Sequence, residues 1–493
     1  MRTVRTASGA MAVQIVWSSR QGSRRIEHLG SAHDVDELAA LKAVAAERVA
    51  AGQAELDLGL AAAAGTGPLE IVGTRAGHLW DALSRVYDSL GFDKAAGADE
   101  VFRALALARI IEPTSKLDSL RVLEEVGVTA PSYATLKRRL PKYGKSLWRK
   151  DISAACAAHA ALGPASLVLY DVSTLYFETD QGDGFREPGF SKERRLEPQI
   201  TIGLLTDATG FPLAVEAFEG NKAETATMVP TLTAFMAAHR LTDITVVADA
   251  GMLSDRNKRE IEAAGLGFIL GNRIGHIPYA IVQWRKRNPD AAEIPDGLTL
   301  TQPWPGGPNA TRRDQVIYYQ YRADRARRTL KGIDEQIGKA ERAVAGKMPV
   351  KRNRFITLAG GDKSVNRDLE AKARTLAGWK SYITNITSPT PEFVIGAYHQ
   401  LWRIEKSFRM SKHDLQARPI YHHKRESIEA HLAVVFAALA VTHQIETNTG
   451  WSIKRFVQTA RRYRTVAIRA GGHVLTAEEP LPTDLRDALA MIT

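Results

Sequence analysis

Between Leu167 and Leu270 the chain lays out apolar runs and helical stretches in an order that few folds accept. Leu167 to Tyr170 reads as a short buried strand running into Asp171, and after a polar loop Ile200 to Leu205 reads as a second. Asp207-Ala208-Thr209-Gly210 is a turn, and Phe211 to Phe218 a third strand. Two strands joined by so short a turn must be antiparallel. The period then changes. Thr225 to His239 predicts a helix, Ile244 to Ala248 a strand ending at Asp249, Asp255 to Ala264 a second helix, and Phe268 to Leu270 a last strand. Right-handed crossovers put the first and fourth strands side by side, so Asp171 and Asp249 are expected at one site.

The flanking regions have other periods. Residues 1–63 read as a hairpin, weakly alternating over 11–30 around Gln21-Gly22, followed by an Ala/Leu/Glu-rich helix. Ala64-Gly65-Thr66-Gly67-Pro68 is a linker. Residues 68–164 are helical. Within them Ser115 to Val126 predicts one helix, Gly127 a turn, and Ser132 the cap of a second helix carrying Lys137, Arg138 and Arg139. Two helices, a glycine turn and a basic second helix outline a helix-turn-helix, which makes those three cations candidate DNA contacts. Residues 165–270 form the first part of a core. Residues 271–391 read as a β-rich inserted subdomain, with strand-like pieces at Ile277–Trp284, Leu298–Thr301 and Val316–Tyr321, a charged helix Ala323 to Ala345, and strands Phe355–Leu358 and Ser381–Asn385. Residues 392–470 complete the core with helices Val394 to His413 and Ser427 to Ile445, and 471–493 form a loosely packed tail.

Charge narrows the partners. The net charge is +11, and from Gly396 to Ala470 there are 13 Lys and Arg against 5 Asp and Glu. Such a basic concentration favours a polyanion, nucleic acid first. The single cysteine, Cys156, lies among alanines and reads as a small buried side chain; no internal disulfide is possible, and a cytoplasmic setting is expected. The start, Met1 to Trp17, is broken by Arg2, Arg5 and Gln14 and does not read as a signal peptide. The longest apolar run, Leu432 to Val441, is ten residues, a length for a buried helix rather than a membrane span. His413, His422, His423 and His431 lack the spacing of a zinc site and read as polar surface or DNA-proximal residues.

A third carboxylate joins the two strand-end aspartates. Tyr398, Glu405 and Lys412 are seven apart, nearly two helical turns, and so share a face. An acid, a base and an aromatic are odd company on a core-facing stripe. Three carboxylates from distant parts of the chain offer the hard oxygens that Mg²⁺ selects. Two such ions can activate an attacking hydroxyl and stabilise a leaving oxygen in phosphoryl displacement.

The segment Tyr398-His-Gln-Leu-Trp-Arg-Ile-Glu405-Lys-Ser-Phe-Arg-Met-Ser-Lys412 resembles the Y-x2-R-x3-E-x6-K signature of bacterial DDE transposases of the insertion sequence 4 family. Val-Val-Ala-Asp249-Ala-Gly251 resembles that family's second-aspartate motif and Leu-Tyr-Asp171-Val-Ser-Thr its first, and the likeness spans roughly residues 165–445. The resemblance implies an α/β fold: a ribonuclease H-like mixed-sheet catalytic core with a β-rich insertion and a helical N-terminal region. It implies cleavage and strand transfer at transposon-end DNA by Asp171, Asp249 and Glu405 holding two Mg²⁺ (Mn²⁺ can substitute), double-stranded DNA as partner, and a dimer or larger assembly on DNA. Lys412, Tyr398 and the basic residues around them would hold DNA, and Trp402 and Trp379 are candidates for stacking on a flipped base. The signature's arginine is Leu401 here, which cannot hold a phosphate; Arg409, one turn after Glu405, is the expected substitute, with Arg403 adjacent but pointing elsewhere. Two other readings fit parts of the pattern: another ribonuclease H-like nuclease, and a catalytically silent, transposase-derived DNA-binding regulator.

Overall fold

All the strands expected between residues 167 and 270 form, in the expected order. The computed structural model describes residues 1–6, 9–18, 24–51, 69–163, 166–179, 181–189, 196–252, 254–291, 293–305, 314–349, 352–359, 362–418, 420–470 and 472–492. The Gln21-Gly22 turn and the linker at 64–68 lie outside these. The chain divides into two compact units, residues 1–73 with 466–477, and residues 74–465 with 478–493.

In the first unit the expected hairpin pairs Met11–Ser18 with Arg24–Ala32, and Arg2–Arg5 adds a third antiparallel strand. The helix Val35–Ala51 covers the sheet through a small core of Val13, Ile15 and Ala45, with Leu29, Leu38 and Leu41 packed around it. The expected tail is not loose: His473–Glu478 is a strand in a three-stranded sheet. Within the second unit, Thr483–Ala490 is a helix that buries Leu485 and Ala488.

The second unit is built on one mixed sheet. Its strands are β1 (Ser166–Tyr176), β2 (Gln199–Asp207), β3 (Pro212–Glu219), β4 (Ile244–Ala248), β5 (Gly267–Asn272), β6 (Thr299–Trp304), β7 (Gln315–Tyr321) and β8 (Trp379–Thr384). Their spatial order is β6-β7-β8-β5-β4-β1-β2-β3. β1 to β3 form an antiparallel meander, and β1, β4 and β5 run parallel. The helices α1 (Met228–His239) and α2 (Asp255–Ala263) make the crossovers. The segment 271–391 continues the sheet rather than standing apart from it, because β8 pairs antiparallel with β5, β7 with β8 and β6 with β7. Its remaining part is a satellite. The helix Ala323–Val344, the hairpin Ile356–Ala359/Asp362–Val365 and the helix Arg367–Thr375 close on their own core of Ile333, Ile337, Ala340 and Phe355.

Two local expectations are corrected. Ile277–Trp284 is no strand: Tyr279–Arg287 is a helix that buries only Ile281 and ends in Arg285, Lys286 and Arg287, the favourable charge at a helix C-terminus. The helix expected from Val394 to His413 is three pieces, namely α3 (Pro391–His399), α4 (Leu401–Arg409) and a π-helical turn Met410–Asp414.

The long helix α5 (Arg425–Thr449) holds the unit together. Its middle, Leu432–Val441, is apolar on every side because the helix lies between the sheet and the helices Glu100–Ile111 and Tyr133–Tyr143. Each Val, Leu or Phe it fully buries contributes roughly 1.5–3 kcal/mol. Among the described residues α5 is the one helix long and apolar enough to cross a membrane, and 89% of that apolar window is buried inside the protein. Cys156 is buried too, as expected.

Candidate active site

The first two aspartates are placed by strand register. β1 pairs with β4 from Ser166 opposite Ile244 to Leu169 opposite Val247. Carried two residues further, the same register sets Asp171 opposite Asp249. Side chains alternate along a strand, so Asp171 points as Leu169 does, and neighbouring strands are ~4.8 Å apart. β1 does not stop at Tyr170 as expected. It continues to Tyr176 because β2 keeps pairing with it, Asp171 opposite Leu204 and Tyr176 opposite Gln199. β4 does stop, at Ala248, and the chain turns away through Ala250–Met252. Asp171 therefore marks the point where the sheet opens, and Asp249 is exposed at the end of its strand.

Glu405 arrives on helices packed over those strands. α3 packs on β4, β5 and β8, while α4 packs on β1, the strand carrying Asp171. The Tyr398 hydroxyl donates to Asp249 Oδ1 at 2.5 Å, and its ring meets Tyr382 edge-on at 4.9 Å. Gly271 makes this approach possible, since a Cβ there would stand 2.7 Å from the Tyr398 hydroxyl. Burial, then the bond to Asp249, push the Tyr398 hydroxyl far up, so it remains a proton donor. Glu405 is exposed and also acts on Tyr398 through its charge.

Sequence reasoning missed Lys380. This β8 residue holds its ammonium 4.3 Å from the centre of the Tyr398 ring. Burial lowers its pKa, while Asp249 and Glu405 oppose that shift. Nothing in the spacing from Lys380 to Glu405 marks the pair; only the pairing of β8 with β5 brings this lysine to the carboxylates.

The remaining candidates separate into groups. Lys412 lines a small apolar cavity with Ser173 and Leu175, on the face of β1 that Asp171 shares. Arg403 donates to the Ala208 carbonyl at 2.9 Å, and Ser407 to the Gly210 carbonyl at 2.8 Å, so the β2–β3 turn clamps α4. Gly210 serves that clamp: its φ is +91°, and a Cβ would meet the Arg403 side chain at 3.1 Å. Trp402 is exposed and shares a cleft with Lys406 and Arg409. Arg409 thus lines the same cleft as Trp402, seven residues before it. Trp379 is buried against Tyr321 at 5.4 Å, which withdraws it from base stacking as placed.

In the N-terminal helices Ser132 caps Tyr133–Tyr143, accepting from the Thr135 amide as expected. Gly127 makes the turn with φ +80°. Lys137 and Arg138 are exposed, but Arg139 is paired at 2.7 Å with Asp99, whose side chain is almost wholly buried. Arg139 is therefore a structural ion pair rather than a free DNA contact. Of the histidines, His413 and His423 are exposed, whereas His431 is buried and bonded to the Ala417 carbonyl.

Among the described residues no three His, Cys, Asp or Glu side chains converge tightly enough to form a finished metal cluster. The donor chemistry nevertheless fits a hard divalent cation, because all three groups are carboxylates. The Tyr398 hydroxyl engages Asp249. The profile of the transposase DDE domain family matches residues 162–441, and these include Asp171, Asp249 and Glu405. Among solved structures the chain is similar to a piggyBac transposase synaptic complex with hairpin DNA, seen by cryo-electron microscopy. The TM-score is 0.41 and the identity 12%, over 74% of this chain and 70% of that one. No curated protein matches the chain.

Proposed function

We propose, for a chain that belongs to the transposase DDE domain family, that Asp171, Asp249 and Glu405 are the carboxylates with which this DNA transposase cuts and joins DNA. Enzymes of this family use divalent metal ions, and the reading here is a pair of Mg²⁺ ions held by these three side chains, with Mn²⁺ able to replace them. The observation that carries the reading is the 2.5 Å bond from Tyr398 to Asp249. It ties the helices carrying Glu405 to the strand end that register sets opposite Asp171.

The bound cations would supply charge to activate a hydroxyl and stabilise a leaving oxygen. The protein's own groups do the rest. Tyr398 orients Asp249, and the clamp of Arg403 and Ser407 on the β2–β3 turn fixes α4 and so Glu405. Lys380 brings a positive charge beside Tyr398, in a chain whose signature arginine is replaced by Leu401. Lys412, Arg409 and Trp402 would contact DNA, as would the exposed Lys137 and Arg138. The finer placing, also proposed, is with the insertion sequence 4 type, acting on transposon ends in the cytoplasm as a dimer or larger assembly on DNA. The silent-regulator and other-nuclease readings gain nothing from the site, since all three acids are present in a transposase-family chain.

The test is cleavage of supercoiled plasmid carrying the element's own ends, with Mg²⁺ or with EDTA, by the wild type and Glu405→Gln. Metal-dependent cutting at the ends that is lost in the variant is the expected result. Wild-type binding without cutting under any metal condition would return the silent regulator, and equal cutting by both proteins would remove Glu405 from the site.

A further inference from the structure

Away from the carboxylates, the second unit opens a cleft of about 790 Å³ between the N-terminal helices and the segment 416–431. The size is that of a small-ligand site. Its lining is strongly one-signed: Arg109, Lys116, Lys137, Arg418 and Lys424 stand against one carboxylate, Glu426. The innermost cations are not surface charges. Arg109 and Lys116 are half-buried, and burial lowers the pKa of each. Lys116 Nζ lies 2.5 Å from His422 Nε2, and burial holds that imidazole neutral. His431 closes the floor and spends its own Nε2 on the Ala417 carbonyl.

A group of cations kept together in a half-enclosed cleft costs free energy unless an anion joins it. The rim adds a second kind of chemistry. Tyr133 and Tyr421 line the cleft with exposed rings, and the Lys137 ammonium lies 5.6 Å from the Tyr133 ring centre. Cations below and aromatic faces above are the pairing that holds a single nucleic-acid strand, phosphate on the charge and base on the ring. Duplex DNA would satisfy the charge but could not offer an unstacked base.

We propose that this cleft binds an unpaired DNA strand, with a backbone phosphate against Arg109 and Lys116 and a base against Tyr133 or Tyr421. The proposal rests on the transposase reading for the source of the strand, but uses none of the residues assigned to cutting. It gives the helix-turn-helix region a task beyond its exposed cations, which is to hold DNA whose strands have been parted.

The experiment measures the affinity of a short single-stranded oligonucleotide, and of the matching duplex, over a range of salt for the full-length wild type, Lys116→Met and Arg109→Met. Each variant keeps a long apolar stem in place of the buried one, and its thermal unfolding is followed alongside. The expected result is single-strand binding weakened roughly five- to tenfold in each variant, with the slope of log K against log salt shallower by about 0.7. A smaller loss is expected for duplex. On the wild type, photocross-linking with 5-iodouracil in the strand should label Tyr133 or Tyr421, which tests the site even where a variant fails to fold. Unchanged affinity and slope in folded variants, or cross-links confined to other segments, would overturn the proposal. So would loss of inorganic pyrophosphate binding in the variants with DNA binding intact, since that marks a site for free anions. Wild-type protein that binds DNA and cuts it while both variants match it sinks this inference alone, whereas wild type that binds no DNA sinks the transposase reading itself.

Discussion

The second unit carries two concentrations of charge of opposite sign, and they are built differently. At the carboxylate site each acid comes from a different element, and the Tyr398 hydroxyl and the Lys380 ammonium come to Asp249. In the basic cleft the cations are crowded against one another and against neutral imidazoles, with Glu426 the single acid in the lining. The first arrangement gathers hard carboxylate oxygens of the kind that divalent cations select. The second leaves positive charge spread over a nucleotide-sized space with aromatic rims. The sign of the surplus and the shape of the space together distinguish a place for chemistry from a place for holding.

The comparison breaks most visibly at the acids. Asp249→Asn keeps size and can still accept from Tyr398, but removes the charge. End cleavage should fall on the order of 10³-fold, with DNA affinity unchanged or slightly raised, as single-turnover cleavage and binding would show together. An equal loss of binding would mean that Asp249 shapes the fold rather than the chemistry.

Next in size is Tyr398→Phe, which deletes one hydroxyl and keeps the ring against Tyr382. A hydrogen bond to a charged group is worth about 1.5–3 kcal/mol, so cleavage should fall roughly ten- to a hundredfold. More divalent metal should recover part of the loss, because the change acts through the position of Asp249. A rate indifferent to metal concentration would separate Tyr398 from the carboxylates.

The basic cleft is sharpened by stability rather than rate. Lys116 has its pKa lowered to about 7, by burial first and then by Arg109, against ~10.4 in an unfolded chain. Between those values the unfolded state binds more protons, so stability rises with pH across that window, and below it the full cost of burying the ammonium is present. Lys116→Met should therefore be more stable than wild type near pH 6, by roughly 1–2 kcal/mol. The gain should fade as pH rises from about 7 and be gone by about 10. Chemical denaturation at several pH values measures it. A variant less stable than wild type at pH 6 would mean that the ammonium already has full compensation inside the fold.

Much of the acid site was legible in the sequence. The apolar runs before Asp171 and Asp249 and the spacing of Tyr398 and Glu405 are local signals, and local signals survive in one dimension. The extension of β1 to Tyr176 was not legible, because Asp171, Ser173 and Thr174 dilute its apolar pattern and the pairing with β2 decides it. Ile277–Trp284 misled for the opposite reason: β-branched and aromatic residues there sit on a mostly exposed helix. Lys380 and the Arg109–Lys116–His422 group were invisible because their partners are far away in the chain, 306 residues in the case of Lys116 and His422. Arg139 carried the right charge for DNA, but a buried aspartate forty residues away claims it.

The smallest effect tests how α4 divides its work between the two kinds of site. Lys412 lines a cavity with Ser173 and Leu175 on the Asp171 face of β1, whereas Trp402, Lys406 and Arg409 line a separate cleft with Glu446 and Trp451. Lys406 is already paired with Glu446 at 2.6 Å, which leaves Arg409, exposed on the same cleft, as the better placed cation for a DNA phosphate. Arg409→Ala should weaken duplex binding only about threefold and reduce its salt slope by about 0.9, with cleavage of saturating DNA unchanged. That outcome would assign the Trp402 face to positioning and leave chemistry to the Glu405 face. If cleavage at saturation fell as it does for Tyr398→Phe, the two faces would act as one, and Arg409 would take the place of the arginine missing at Leu401.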